Sequence, residues 1–480
     1  MLAFLLAAVI GATPLVDAVK QKDTAAVRAL IAKKVDVNAP EGDGATALHW
    51  AVYNDDVAVV DLLIRAGANV NAANDLAISP LYLAAVNGNA AIVSALLAKR
   101  AKPDAAAESG VTPLMEAARS GSIAAVRALV KAGANVNARE TARDQTALMW
   151  AVARRHAEVV KVLLEHGADV HARTKVRPLR VMLDEGPRRS FKTSVQDARQ
   201  IEAGGSTALL FAAQVGDVAS APLLIGAGAN VNDTAADGNS ALVLAAFSGQ
   251  SEVARLLIDA GADPNAAGAG YSALHAAALR GDLATVKALL AKGAHPNALI
   301  TKGSPVRRFG SQWALPTPMT GGTPLMVAAI FLELDIMRAL IAGGADPALA
   351  LPDGTSPFLA ASGIEVERET RPSDLVRWNV IDSDEPTIPR SESEMLAAVS
   401  LLLDAGADVN QANAGGDTAL HGAAAAGMTK VIQLLADRGA TLDVKNKAGQ
   451  TPLSLTIPRG RQQAGSKPAE ELLRKLGATQ

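Results

Sequence analysis

Three histidines and an aspartate in one short stretch, His156, His166, His171 and Asp169, are the residues of this 480-residue chain best suited by type to chemistry. Three imidazole nitrogens and a carboxylate are donors that zinc accepts. Their spacing argues the other way. The histidines fall on different local elements, no compact His-x-x-x-His pair is present, and the chain has no cysteine. The same lack removes disulfides, a Cys zinc site and a thiol nucleophile, and it is compatible with either redox compartment. Gly460, Gly465, Ser466 and Lys467 look like a phosphate-binding loop until their order is read. That loop needs Gly-Lys-Ser/Thr after a strand, so that the Lys reaches phosphate and the hydroxyl a magnesium ion. Here Ser466 precedes Lys467 and Pro468 follows. There is no Gly-x-Ser-x-Gly elbow, and the sequence places no two carboxylates together. No metal, cofactor or small-molecule substrate is expected.

The elements that carry these residues are copies of one unit, clearest over residues 43–71. Thr13, Thr46, Ser79 and Thr112 stand at steps of 33, and Asn38, Asn71, Asp104 and Asn137 keep the same interval. Such phase-locking defines a repeat array. Thr46 offers a hydroxyl to the orphan N–H groups of a helix start, and the next position is Pro in other copies (Pro14, Pro80, Pro113, Pro324, Pro452), where a missing N–H costs nothing. Ala51, like the pairs Ala84/Ala85 and Ala117/Ala118, lets a neighbouring helix come close. A second helix over residues 57–66 is apolar on more than one stripe, so neighbours must cover it on several sides. Gly67 then ends it in the left-handed conformation cheapest for glycine, and the chain turns outward. Lys34 stands where this glycine is usual.

The blocks GATALHWAV with LLIRAGANVNA, and GGDTALHGAA preceded by LLDAGADVNQ, resemble the ankyrin repeat. About twelve copies are in register, and the chain is similar to exported bacterial proteins of that family. The resemblance implies an all-α fold: a solenoid of stacked helix-turn-helix units with β-hairpin fingers. It also implies structural roles for His49, His275 and His421, which share the Thr/Ser-x-Leu-His column where an imidazole ties a finger loop to a helix. Trp50 and Trp150 share another column and are expected to pack between repeats.

Residues 13–172 hold repeats one to five and 205–298 repeats six to eight. Residues 321–362 hold repeat nine and the first helix of ten, and 395–480 the rest of ten, eleven and a C-terminal capping repeat. One elongated array is expected, since repeats add length without starting a new core. Insertions interrupt it at 173–204, with eight Lys/Arg against four Asp/Glu, at 299–320, Pro-rich and basic, and at 363–394, with nine Asp/Glu against four Arg. The first two lengthen fingers; their charges are either solvated or paired with the acidic insertion. Residues 1–12 read as the remnant of an export signal. The apolar run is far short of the ~20 residues of a membrane span and stops where the repeats begin. The expected location is periplasmic or extracellular, with a hydrophobic cap on a cytoplasmic protein as the alternative.

A net charge of −2 supplies no field favouring nucleic acid. What folding leaves free lies just after the Ala pair, in columns that border the concave groove of ankyrin folds. Tyr53, Arg119, Arg154, Phe247, Arg280, Ile330 and Phe331 stand there, a mixture of aromatic, aliphatic and Arg side chains that suits an interface. Arg188, Arg189, Phe309 and Trp313 in the basic fingers join them as candidates. The expected function is a monomeric, non-catalytic scaffold that binds a protein partner through groove and fingers. The alternatives are an enzyme whose site the insertions form, and a nucleic-acid binder using the basic fingers.

Overall fold

The computed structural model describes residues 13–182, 198–303, 319–364, 366, 391–457 and 465–479. The run 1–12 and the tail loop around Gly460 lie outside the described residues, as do Arg188, Arg189, Phe309 and Trp313. The chain divides into two compact units, Met1–Val176 with Gly204–Asn230, and Arg177–Ala203 with Val231–Gln480. Among the described residues each unit contains six helix pairs. No helix among the described residues is long and apolar enough to cross a membrane.

In the first unit the first helices are Pro14–Lys20, Ala47–Tyr53, Pro80–Asn87, Pro113–Ser120, Ala147–Ala153 and Ala208–Val215. Their partners are Thr24–Ala32, Val57–Arg65, Ala90–Ala98, Ile123–Lys131, Ala157–Glu165 and Ser220–Gly226. In the second unit the pairs run from Ala241–Phe247 with Ser251–Asp259 to Pro452–Leu455 with Lys467–Leu476. Within each unit a first helix packs on the next and on its own partner, and no pair could bury its apolar faces alone. Caps set the starts. Ser79 Oγ accepts the Tyr82 N–H at 3.1 Å and Thr323 Oγ1 that of Met326 at 3.1 Å, each ahead of a Pro that has no N–H to lose. Ala84, Ala85, Ala117 and Ala118 are wholly buried, the close approach that small side chains permit. At the end of the second helix the turn demands a positive φ. Gly67 has +92° with open space where a Cβ would sit, so the dihedral itself selects glycine. Lys34 adopts +58° in the same place.

Two hydrogen bonds recur along the chain. One closes most of the fingers: Asn74 N–H donates to Ile78 O at 3.1 Å, Ala107 to Val111 at 3.0 Å, and Asn446 to Gln450 at 2.9 Å. Two of the insertions leave it in place, since Thr174 N–H donates to Ser206 O at 3.0 Å and Ile300 N–H to Gly322 O at 2.9 Å. The other bond is a staple between neighbouring loops. Asn137 donates through Nδ2 to Gly167 O at 3.0 Å and accepts the Asp169 N–H at 2.8 Å; Asn71 treats Arg100 and Lys102, and Asn410 treats Gly439 and Thr441, in the same way.

Within the insertion at 173–204, β1 (Arg177–Met182) and β2 (Ala198–Ala203) form an antiparallel hairpin, with Arg177 opposite Ala203 and Met182 opposite Ala198. The acidic insertion is shorter than its spacing suggested, because helix Glu392–Asp404 begins ahead of Met395. Glu392 Oε1 accepts the Lys430 N–H at 2.7 Å and so ties that first turn to the following pair.

These packing rules make a two-part prediction. Leu163→Ala, at a wholly buried site, should cost about 2 to 5 kcal/mol. Excising 177–203 leaves four residues between Thr174 and Ser206, the spacing that already closes the Glu140 to Gln145 finger at 3.1 Å, so the excised protein should keep its helical circular dichroism. Loss of that signal would sink the account of the insertion as a lengthened finger.

Candidate interaction surface

The histidines are tied into the repeats. Thr46 and His49 form a reciprocal capping box in which His49 Nδ1 accepts the Thr46 N–H at 3.1 Å. Its other nitrogen, Nε2, donates to Ile78 O at 3.0 Å, the carbonyl that also closes the next finger. His275 does the same with Ser272 and Gly322, and His421 with Thr418 and Gln450. These partners place the proton on Nε2, and burial holds all three imidazoles below the ordinary histidine value, His275 to about 4. His156 Nε2 lies 3.2 Å from Arg119 O and His166 Nδ1 2.8 Å from Val162 O, while the His171 N–H donates to Asp169 Oδ1 at 2.8 Å. No metal-holding group of three such side chains gathers among the described residues. Lys467 opens the last helix and faces Glu471 at 3.9 Å.

Trp50 packs as its column suggested. Its Nε1 donates to Glu41 Oε2 at 2.6 Å, and Lys20 Nζ lies 4.4 Å above the ring while pairing with Glu41. Tyr53 leans edge-on against Trp50 with centroids 5.6 Å apart, yet remains 62% exposed.

The other candidates divide by unit. In the first, Arg119 Nε donates to Glu116 Oε2 at 2.6 Å, and Glu116 Oε1 accepts the Tyr82 hydroxyl at 2.9 Å. Arg119, Arg154, Val86, Ser120 and His156 line a cavity of about 440 Å³. In the second unit Phe247 is half-buried, 5.6 Å from Tyr271, with the Arg280 guanidinium 6.0 Å from its ring. Arg280 Nε donates to Phe247 O at 2.6 Å, and burial pushes its pKa down to about 10, which leaves it charged at neutral pH. Phe247 and Arg280 thus form an internal joint.

Ile330 and Phe331 require correction. They are 0% and 6% exposed, and belong to the core. Helix Pro324–Ile330 packs against helices Ala273–Arg280, Leu334–Ala342 and Pro357–Ala361, and its last turn offers no open face. A stitching role in the same columns was also missed. Asn54 Nδ2 donates to Val19 O at 3.0 Å and Asn87 Nδ2 to Val52 O at 2.8 Å, each reaching back to the preceding pair. The recurrence of Asn 33 residues apart was the available signal.

The family described as "Ankyrin repeats (3 copies)" matches residues 3–74, 81–174, 188–268, 209–300 and 391–466, well over half of the sequence. The chain belongs to the ankyrin repeat family. No curated protein matches it significantly. Among solved structures it is similar to the ankyrin repeat domain of human ASB11, with 28% identity, a TM-score of 0.42, and coverage of 53% of this chain and 100% of that one.

The buried imidazoles set a pH dependence. An unfolded histidine titrates near 6.5, whereas His275 in the folded chain resists protonation until about pH 4. Between those values the unfolded state binds the extra proton. Stability is therefore fully present above pH 6.5 and falls as the pH drops through the window, by on the order of 3 kcal/mol from this residue. Chemical denaturation at pH 7.5 and pH 5 should show a steeper loss for the wild type than for His275→Gln. Equal losses would contradict the assignment.

Proposed function

We propose that this chain is a non-catalytic scaffold whose first unit holds a protein partner on the side chains that end its first helices. Ankyrin repeats are generally protein–protein interaction modules. The observation that carries the reading is Tyr53. A large aromatic side chain 62% exposed stands beside the Lys20–Trp50–Glu41 cluster, which limits its freedom from one side. Ordering it on a partner then costs little entropy, the property that makes tyrosine a frequent anchor. Phe247 and Arg280 have internal partners, and Phe331 is buried, so they support the fold and Tyr53 carries the contact.

Two single variants separate these roles. Tyr53→Ala should weaken partner capture by about 1 to 4 kcal/mol while changing folding stability by less than about 1 kcal/mol. Phe331→Ala should lower the melting temperature through a core loss of about 3 to 5 kcal/mol. Quantitative mass spectrometry of proteins retained from the native host by wild type and Tyr53→Ala reads the first, and thermal denaturation the second. The same proteins retained in the same amounts by both would reject Tyr53 as the anchor.

A further inference from the structure

The cavity lined by Val86, Arg119, Ser120, Arg154 and His156 draws on pairs three, four and five of the first unit. Its charge is built in an unusual way. Glu116, only 5% exposed, sits on the buried side of helix Pro113–Ser120, where Arg119 Nε and the Tyr82 hydroxyl both donate to it. Arg119 is thus held in place with one of its five N–H donors spent and its Nη groups left over. His156 is also fixed. Its Nε2 lies 3.2 Å from Arg119 O, and its ring stands so close to Gly121 that a Cβ there would approach it to 2.7 Å. Ser120 spends its proton on Ala117 O at 3.0 Å and has no donor to offer. Arg154 differs from all of these: its side chain is exposed and has no hydrogen bond or ion pair among the described residues.

Glu116 cancels Arg119, which leaves the cavity with the single net positive charge of Arg154. That balance suits one monovalent anion. A phosphate dianion would bring a second negative charge against Glu116, whereas a carboxylate brings none. The cavity is open and mostly polar, unlike the enclosed apolar sites that bury a small ligand, so its occupant must be a side chain on a larger body. The geometry points to a subsite for one Asp or Glu side chain of a protein partner. Arg154 and the Nη groups of Arg119 take its carboxylate, and Val86 meets its aliphatic stem. This assignment rests on the scaffold reading above and names the chemistry of the partner.

The probe is a fluorescently labelled hexaglutamate peptide, followed by anisotropy at low salt. The wild type should bind it, and Arg154→Gln should bind roughly tenfold more weakly, the scale of one charge-assisted contact, with an unchanged melting temperature. Arg154→Lys should retain most of the affinity. Lys131→Gln removes the same charge from an exposed site at the end of helix Ile123–Lys131 and should have no effect. Absence of binding, an Arg154→Gln variant that binds as the wild type does, or an equal loss in Lys131→Gln would overturn the subsite. A hexapeptide of phosphoserine that binds more tightly than hexaglutamate would overturn the carboxylate in favour of phosphate. A wild type that holds its partner through Tyr53 yet ignores hexaglutamate removes this inference and leaves the scaffold standing. Arg154-dependent binding in a protein whose Tyr53→Ala variant keeps its partner leaves the subsite standing and rejects Tyr53 as the anchor.

Discussion

One backbone carbonyl at each of three repeat junctions carries more of this structure than any side chain. The oxygen of Ile78 closes its own finger by accepting the Asn74 N–H, and with its second lone pair accepts Nε2–H from His49 of the preceding repeat. Gly322 and Gln450 do the same for His275 and His421. Each bond is worth only about 1 kcal/mol net. Their arrangement gives them leverage, because the residue after the carbonyl is the Thr or Ser that caps the next first helix. Finger closure, helix start and the link between repeats are thereby fixed by adjoining atoms, and the same constraint explains why the chain tolerates insertions. Widening a loop costs about 0.6 kcal/mol per doubling. The segment between Thr174 and Ser206 is roughly three doublings longer than an ordinary finger, so its closure costs about 2 kcal/mol more. The paired strands β1 and β2 offset part of that.

The division between fold and function follows from what these bonds leave over. Asn54 and Asn87 occupy groove-edge columns but spend their amides on the preceding pair, and Arg280 spends its Nε on Phe247 O. Tyr53 and Arg154 lie in the same two columns with no such duty. A column is therefore free only where its residue does not reach back to a carbonyl, and freedom has to be judged residue by residue.

That distinction also sets how much the sequence could reveal. Thr, Pro, Ala and Gly columns were legible because capping, a missing N–H, close approach and positive φ are local demands, satisfied within a few residues of the side chain that meets them. The Thr-x-Leu-His column was legible for the same reason, and so were the starts of most helices. Ile330 and Phe331 were misread because burial depends on what neighbouring helices contribute, which no spacing within one repeat encodes. The early start of helix Glu392–Asp404 escaped for a like reason, since its first turn is held by the following pair. The Asn137-type staple was visible as a repeating letter, but its meaning lies in the Gly167 carbonyl and the Asp169 N–H of the next repeat.

Glu116 shows how the two levels meet. Burying a carboxylate is costly unless its partners are fully engaged, and here Arg119 and the Tyr82 hydroxyl engage both oxygens. Burial first, and Glu116 second, raise the Tyr82 pKa, so the phenol stays protonated and remains a donor at neutral pH. The arrangement contributes little to stability beyond offsetting its own desolvation. Its effect falls on Arg119. A guanidinium that would otherwise sample many rotamers is held in one, and the entropy that a partner would have to remove, about 0.5 to 1.5 kcal/mol for such a side chain, has already been removed by folding. A buried charge that is unremarkable as a source of stability thus becomes the means by which a rigid helix pair presents an ordered cation at its surface.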